Sequence, residues 1–225
     1  MKKLLLGDSV GNQLFPNTTA NDTVNSLCCN QAIGIIGHFF LLNNYLEAGN
    51  DVDTVFMLFT PSSFLNNLNQ IYTYHYFLKP FYKNEYKPLF TATVNEQIKK
   101  IPYSAFCQVP TILTSNWAPN FKSKDKIDYT FISPVSAEYL KKIKLLSIRH
   151  NFKLIILSPP VSFRKKMKFD KINKNEIAKN NFDDEFKDYF KTIIYLNDSL
   201  FMDGTHLKKE ELVYYRAFYK KTYIK

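Results

Sequence analysis

A serine hydroxyl attacks a carbonyl only once a base takes its proton, and an imidazole steadied by a carboxylate is a common base for that task. Two stretches of this chain carry those groups. Near one end, Lys2-Lys3-Leu4-Leu5-Leu6 is an apolar run that stops at Gly7, followed by Asp8, Ser9 and the polar turn Val10-Gly11-Asn12-Gln13. Near the other end stands Asp203-Gly204-Thr205-His206. Asp203 and His206 lie three residues apart, so a single turn can hold both, with the carboxylate fixing the imidazole tautomer. Of the four histidines, His38 and His150 fall in helical patterns and His75 in an aromatic stretch, which leaves His206 as the best-placed base. Backbone N–H groups near Ser9 and after the second strand can hold a developing oxyanion. Each motif has a plainer reading. A strand followed by Gly-Asp-Ser is often only a turn, with Asp8 stabilising it, and Asp203 can cap the last helix. Only the two motifs together point to nucleophilic catalysis, and only if the fold makes them meet.

The elements that must bring them together are set by hydrophobic patterning. Residues 2–6 read as a first strand, and 7–23 as loop with at most a short helix. A second apolar run, 24–29, ends at Asn30, which either caps the next helix or orients the loop. Helical spacing runs from Gln31 to Glu47 and stops at Ala48-Gly49-Asn50. Residues 54–59 are continuously apolar between Asp53 and Thr60-Pro61, as in a central parallel strand. Residues 64–132 contain aromatics, prolines and the only tryptophan, and read as a helical insertion, helical to about Asn120. Ser133-Pro134 starts a helix to about Asn151. Residues 152–157 form a fourth strand, about 176–189 a charged helix, 192–196 a fifth strand and 208–220 the last helix. The alternation predicts a three-layer α/β/α domain over residues 1–225, with a five-stranded parallel sheet of flavodoxin-like type. In such a sheet Ser9, Asn30 with Gly34, Thr60 with Ser62 and Ser63, Ser158 with Ser162, and Asp203 with His206 all come after strand C-terminal ends. That edge is where α/β sheets bind ligands.

Composition narrows the classes. Hydrophobic residues make up 45% of the 225 and charged residues 22%, as in an ordinary globular protein. No run reaches the roughly 18 apolar residues needed to span a membrane. The three leucines after Met1-Lys2-Lys3 are too few for a signal peptide, so no membrane span and a cytoplasmic location are expected. The net charge of +10 raises a nucleic-acid or anionic-surface reading, but the lysines are scattered and no specific nucleic-acid partner is expected. The densest run, Arg164-Lys165-Lys166-Met167-Lys168, reads as a solvated loop. Cys28, Cys29 and Cys107 lack metal-ligand spacing and read as buried thiols, so neither a metal nor another cofactor is expected. Trp117, Tyr72 and Tyr74 suit either sugar stacking or, more simply, core packing. Oligomeric state is left open.

Gly7-Asp8-Ser9 together with Asp203-x-x-His206, in register with the strands across the whole chain, resembles the SGNH (GDSL-like) hydrolase superfamily. The resemblance implies Ser9 as nucleophile and oxyanion donor, His206 as general base and Asp203 as its partner. It implies an oxyanion N–H after strand two, assigned to Gly34, although Ala32 or Ile35 could serve. The family's third block, Gly-x-Asn-Asp, is replaced by Phe59-Thr60-Pro61-Ser62-Ser63. Ser62 or Thr60 then supplies a hydroxyl donor, or the hole is weaker by about 3 kcal/mol. The departure is more similar to the branch acting on acyl groups of bacterial surface sugars. A serine esterase removing a small acyl group, O-acetyl on a carbohydrate, is expected. The alternatives are an O-acyltransferase to a sugar hydroxyl, and a catalytically degenerate carbohydrate-binding member.

Overall fold

The computed structural model describes residues 2–20, 23–109, 111, 115–119, 121, 123 and 126–224. Its frame is a parallel sheet of four strands: β1 (Lys3–Gly7), β2 (Val24–Ser26), β3 (Thr54–Leu58) and β4 (Lys153–Leu157), in the order β2-β1-β3-β4. Leu5 stands between Ser26 on one side and Phe56 on the other, and Phe56 in turn faces Ile155. Side chains alternate across a strand, and here each face finds its own core. Leu4, Leu6, Val55, Met57 and Ile156 point into one apolar cluster, while Leu5, Phe56, Leu58 and Leu157 point into the other. Burial on both faces is what the unbroken apolar runs of β1 and β3 demand, each buried leucine contributing about 1.5–3 kcal/mol.

Helices cover both faces. The larger cluster takes α2 (Gly34–Glu47) and the helix Pro134–Arg149, which pack on each other. Ser133 caps the latter by accepting from the Ser136 amide, with Pro134 at the first helical position. The smaller cluster takes α1 (Ser9–Leu14) and the C-terminal helix Lys209–Thr222. Among the described residues no helix is long and apolar enough to cross a membrane.

The sheet has four strands, not the five expected. Within 192–196, Thr192 closes a 3-10 turn (Tyr189–Thr192), and only β6 (Tyr195–Leu196) pairs as a strand. It pairs in parallel with β5 (Val161–Ser162) as a separate two-stranded ladder. The cause lies just past β4. Pro159 and Pro160 have no N–H to continue the ladder, so the chain leaves the sheet before β5. The outer edge of β4 is taken by Asp183–Phe186 and the 3-10 turn, where Thr192 Oγ1 accepts from the Ser158 amide at 3.0 Å. The charged helix expected at 176–189 is likewise two short pieces, Asn175–Lys179 and Asp183–Phe186, separated by Asn181 at φ 58°.

The stretch expected as a helical insertion contains short elements. They include a π-turn (Tyr74–Leu78), a single turn (Lys79–Phe81) and the helix Ala92–Lys100; Asn120 lies outside the described residues. Its buried aromatics join the larger core, while Tyr72, Tyr76, Tyr103, Phe106 and Trp117 stay exposed. The Phe40 ring of α2 lies 4.9 Å from Tyr86, 5.5 Å from Phe81 and 5.6 Å from Phe90.

Candidate active site

The first strand stops at Gly7 because the chain must turn under β3. A Cβ there would sit 2.9 Å from the Leu58 carbonyl and 3.0 Å from Cys28 Sγ. Asp8 then caps α1, its Oδ1 accepting from the amides of Val10 at 2.9 Å and Gly11 at 3.3 Å. It is almost wholly buried, and its other oxygen accepts a short hydrogen bond from Ser63. Ser63 spends its only hydrogen on Asp8, so the 3.1 Å contact with Thr60 has Thr60 donating. Asp8 therefore ties the C-terminal end of β1 to the turn after β3.

Ser9 is the first residue of α1, so its amide has no intrahelical acceptor. Its Oγ lies 3.0 Å from His206 Nε2. His206 Nδ1 lies 2.7 Å from Asp203 Oδ2. Asp203 Oδ1 also accepts from the amides of Thr205 at 2.9 Å and His206 at 2.8 Å. Burial alone would raise the Asp203 carboxyl. The hydrogen bonds from the His206 ring, the His206 amide and the Thr205 amide, with the His206 charge, instead hold it well below the usual carboxylate range. A hydroxyl, an imidazole and an ionised carboxylate in line can pass a proton from oxygen to nitrogen and stabilise the imidazolium that results.

Two contacts hold the distant loop against α1, and sequence reasoning saw neither. The Gln13 side chain brackets Leu207 like a neighbouring strand. Its Nε2 donates to the Leu207 carbonyl at 3.3 Å, and its Oε1 accepts from the Leu207 amide at 3.1 Å. Gln13 is four residues after Ser9, hence on the same face of the helix, and that spacing was the available signal. On the other flank Arg164 donates to the Asp203 carbonyl at 2.8 Å. Its guanidinium lies over Gly204, where any side chain would collide with it, and Gly204 has the left-handed φ of 73° that favours glycine. Lys165 donates to Thr205 Oγ1 at 2.8 Å.

The remaining expected site residues divide. Gly34 does not offer a free donor. Its N–H caps the preceding 3-10 turn (Gln31–Ile33) by donating to the Gln31 carbonyl, and its own carbonyl contacts His38 Nδ1 at 2.7 Å. The glycine is explained by its φ of 63° and by Asn66, whose Nδ2 would sit 3.2 Å from a Cβ. Ala32 is excluded as a donor too, because its amide donates to Asn30 Oδ1 at 2.9 Å. Asn30 thus caps that turn. The amide left without a partner in the turn is that of Gln31, its first residue. Thr60 has no hydrogen to spare, whereas the half-buried Ser62 hydroxyl has no partner among the described residues. Asn66 donates to the Gln31 carbonyl at 3.1 Å, with a second amide hydrogen uncommitted, so a side-chain amide does come after β3, three residues beyond Ser63. Ser158 and Ser162 are structural: Ser158 Oγ donates to the Pro159 carbonyl and Ser162 to Asp198.

Rival nucleophiles are quiet. Burial pushes the thiols of Cys28 and Cys29 up to about 12 each. His38 is fully buried, and burial draws its ring below the ordinary value against the opposing pull of the Gly34 and Gly7 carbonyls. Among the described residues no group of three or more metal-ligating side chains could hold an ion.

No family model matches the chain, and no curated protein does. A solved structure from Streptococcus pneumonia, a provisionally named platelet activating factor, is similar over 100% of this chain and 84% of its own at 14% identity. Its TM-score is 0.36, a likeness too slight to carry an argument.

Proposed function

We propose that the chain is a serine ester hydrolase of SGNH type forming one domain, with Ser9 as nucleophile, His206 as general base and Asp203 as its orienting partner. The observation that supports this best is the line from Ser9 Oγ through His206 to Asp203, with separations of 3.0 and 2.7 Å and with Ser9 standing 197 residues before His206. His206 takes the Ser9 proton as Oγ bonds to the acyl carbon. The tetrahedral oxyanion is met by the Ser9 amide, with the Gln31 amide, Ser62 and Asn66 as further donors. Collapse breaks the ester C–O bond, and the alcohol leaves with the proton from His206. Water, deprotonated by the same imidazole, then releases the acid and restores Ser9. If a sugar hydroxyl takes the place of water, the same steps transfer the acyl group. A small acyl group, acetyl on a carbohydrate, fits the family resemblance.

The test is turnover of p-nitrophenyl acetate and labelling by a fluorophosphonate. Ser9→Ala is expected to lose turnover by about 10⁴-fold or more and to lose labelling, with an unchanged circular dichroism spectrum. Equal activity in the variant, or an unlabelled wild-type Ser9, would overturn the reading.

A further inference from the structure

Beside the Asp203–His206 loop lies a cavity of about 750 Å³, within the roughly 300–1,000 Å³ typical of small-ligand sites. Its walls lead back to the site. Arg164 lines it while bonded to the Asp203 carbonyl, and Asn66 lines it while bonded to the Gln31 carbonyl. Among the described residues its lining is one-sided in charge: Arg164, Lys168 and Lys171 face it, and no acidic residue does. Of the carboxylates near the lining in sequence, Asp128 lines a neighbouring cavity instead, and Asp170 and Glu176 are committed elsewhere. Asp170 pairs with Lys166 at 2.7 Å, and Glu176 holds the amides of Thr130, Phe131 and Ile132. Lys168 and Lys171 have no carboxylate partner among the described residues. Asn69 and Gln70 add neutral amides, and Tyr129 an aromatic wall.

Unpaired cations gathered in a concavity favour an anion, because the charge-assisted bonds they can form are about twice as strong as neutral ones. We infer that this cavity binds an oxyanion, carboxylate or phosphate, carried by the sugar portion of the ester substrate. The inference rests on the esterase reading for the identity of the ester, but not for the binding of the anion. Amides and an aromatic face beside the cations suit the hydroxyls and ring of a sugar acid or sugar phosphate. The basic run that reads in sequence as a solvated loop instead supplies one wall of a site. Arg164 links that wall to the turn carrying Asp203.

Calorimetric titration of the wild-type protein with glucuronate, glucose 6-phosphate and glucose tests this. At least one charged sugar is expected to bind, about tenfold or more tighter than glucose and more weakly as salt rises. The tighter of the two charged ligands identifies carboxylate or phosphate as the group. Lys168→Gln combined with Lys171→Gln is expected to weaken that binding about tenfold. Equal affinity for all three sugars, no binding of either anion, an unaffected double variant, or preference for a single-stranded oligonucleotide over both sugars would each overturn the inference. Hydrolysis of p-nitrophenyl acetate, measured on the same samples, separates the two readings. Anion binding without hydrolysis strikes only the enzyme, and hydrolysis without anion binding strikes only the pocket.

Discussion

Gln13 uses its amide as a stand-in for a peptide group, giving and taking one hydrogen bond at Leu207 and so fixing where the neighbouring His206 can point. Gln13→Ala removes both bonds and leaves the Leu207 backbone to find water. A misplacement of about 1 Å costs up to about 100-fold in rate, so kcat on p-nitrophenyl acetate is expected to fall about 10- to 100-fold with KM within about twofold. A fall in affinity alone would contradict this positioning role. In the proposed mechanism Asp203, held ionised well below the usual carboxylate range, is not the group expected to shut activity down as pH falls. The approach of Ser9, His206 and Asp203 could be anticipated because few residue types can carry this chemistry, and each end of the chain held one set. Gln13 could not, since an amide bonded to backbone leaves no composition signal. Gly34 misled for a related reason: a glycine serves left-handed backbone as readily as close approach, and sequence does not separate the two uses.

At the scale of elements, one carboxylate organises the segment leading into the helix Pro134–Arg149. Glu176 accepts from Thr130 N at 2.6 Å, Thr130 Oγ1 at 2.8 Å, Phe131 N at 2.8 Å and Ile132 N at 2.9 Å. Burial would raise its pKa, but the amides of Ile132, Thr130 and Phe131, with the Thr130 hydroxyl, outweigh it and the net shift is downward. A carboxyl depressed in the folded state contributes stability above its unfolded value, and that contribution is lost as pH falls through the folded value. Glu176→Gln should therefore lower Tm near neutral pH and make Tm fall less between about pH 5 and about pH 3 than it does in the wild type. Parallel curves for the two proteins would refute this. The strands β1 and β3 were legible because a doubly covered strand must be apolar, and β4 because Leu154 to Leu157 stay apolar although Lys153 is exposed. The 192–196 run is as apolar, yet its pairing is decided by Pro159-Pro160, outside the run, and by the β4 edge, which Asp183–Phe186 and the turn ending at Thr192 already occupy.

For the molecule as a whole, the two faces of the sheet feed separate clusters, and the buried apolar residues described in the segment after β3 belong to the larger one. Phe77, Phe81, Val94 and Ile98 share that cluster with Leu4, Val55 and Ile36, so among the described residues the segment has no separate core to keep it folded when the sheet melts. Trp117, set edge-on to Tyr74 at 5.5 Å, reports on it by fluorescence. The fluorescence midpoint in urea is expected to coincide with the far-ultraviolet circular dichroism midpoint. Two separated midpoints would show an independently unfolding unit.

Every strand of the main sheet runs the same way, so the chain has a rim that carries Ser9 and a blank one. Right-handed crossovers return α2 to the blank rim, where Ala48-Gly49-Asn50 turns in open space with nothing within 4 Å of where a Gly49 side chain would begin. A handle for immobilisation grafted at that corner leaves Ser9 facing outward from the support.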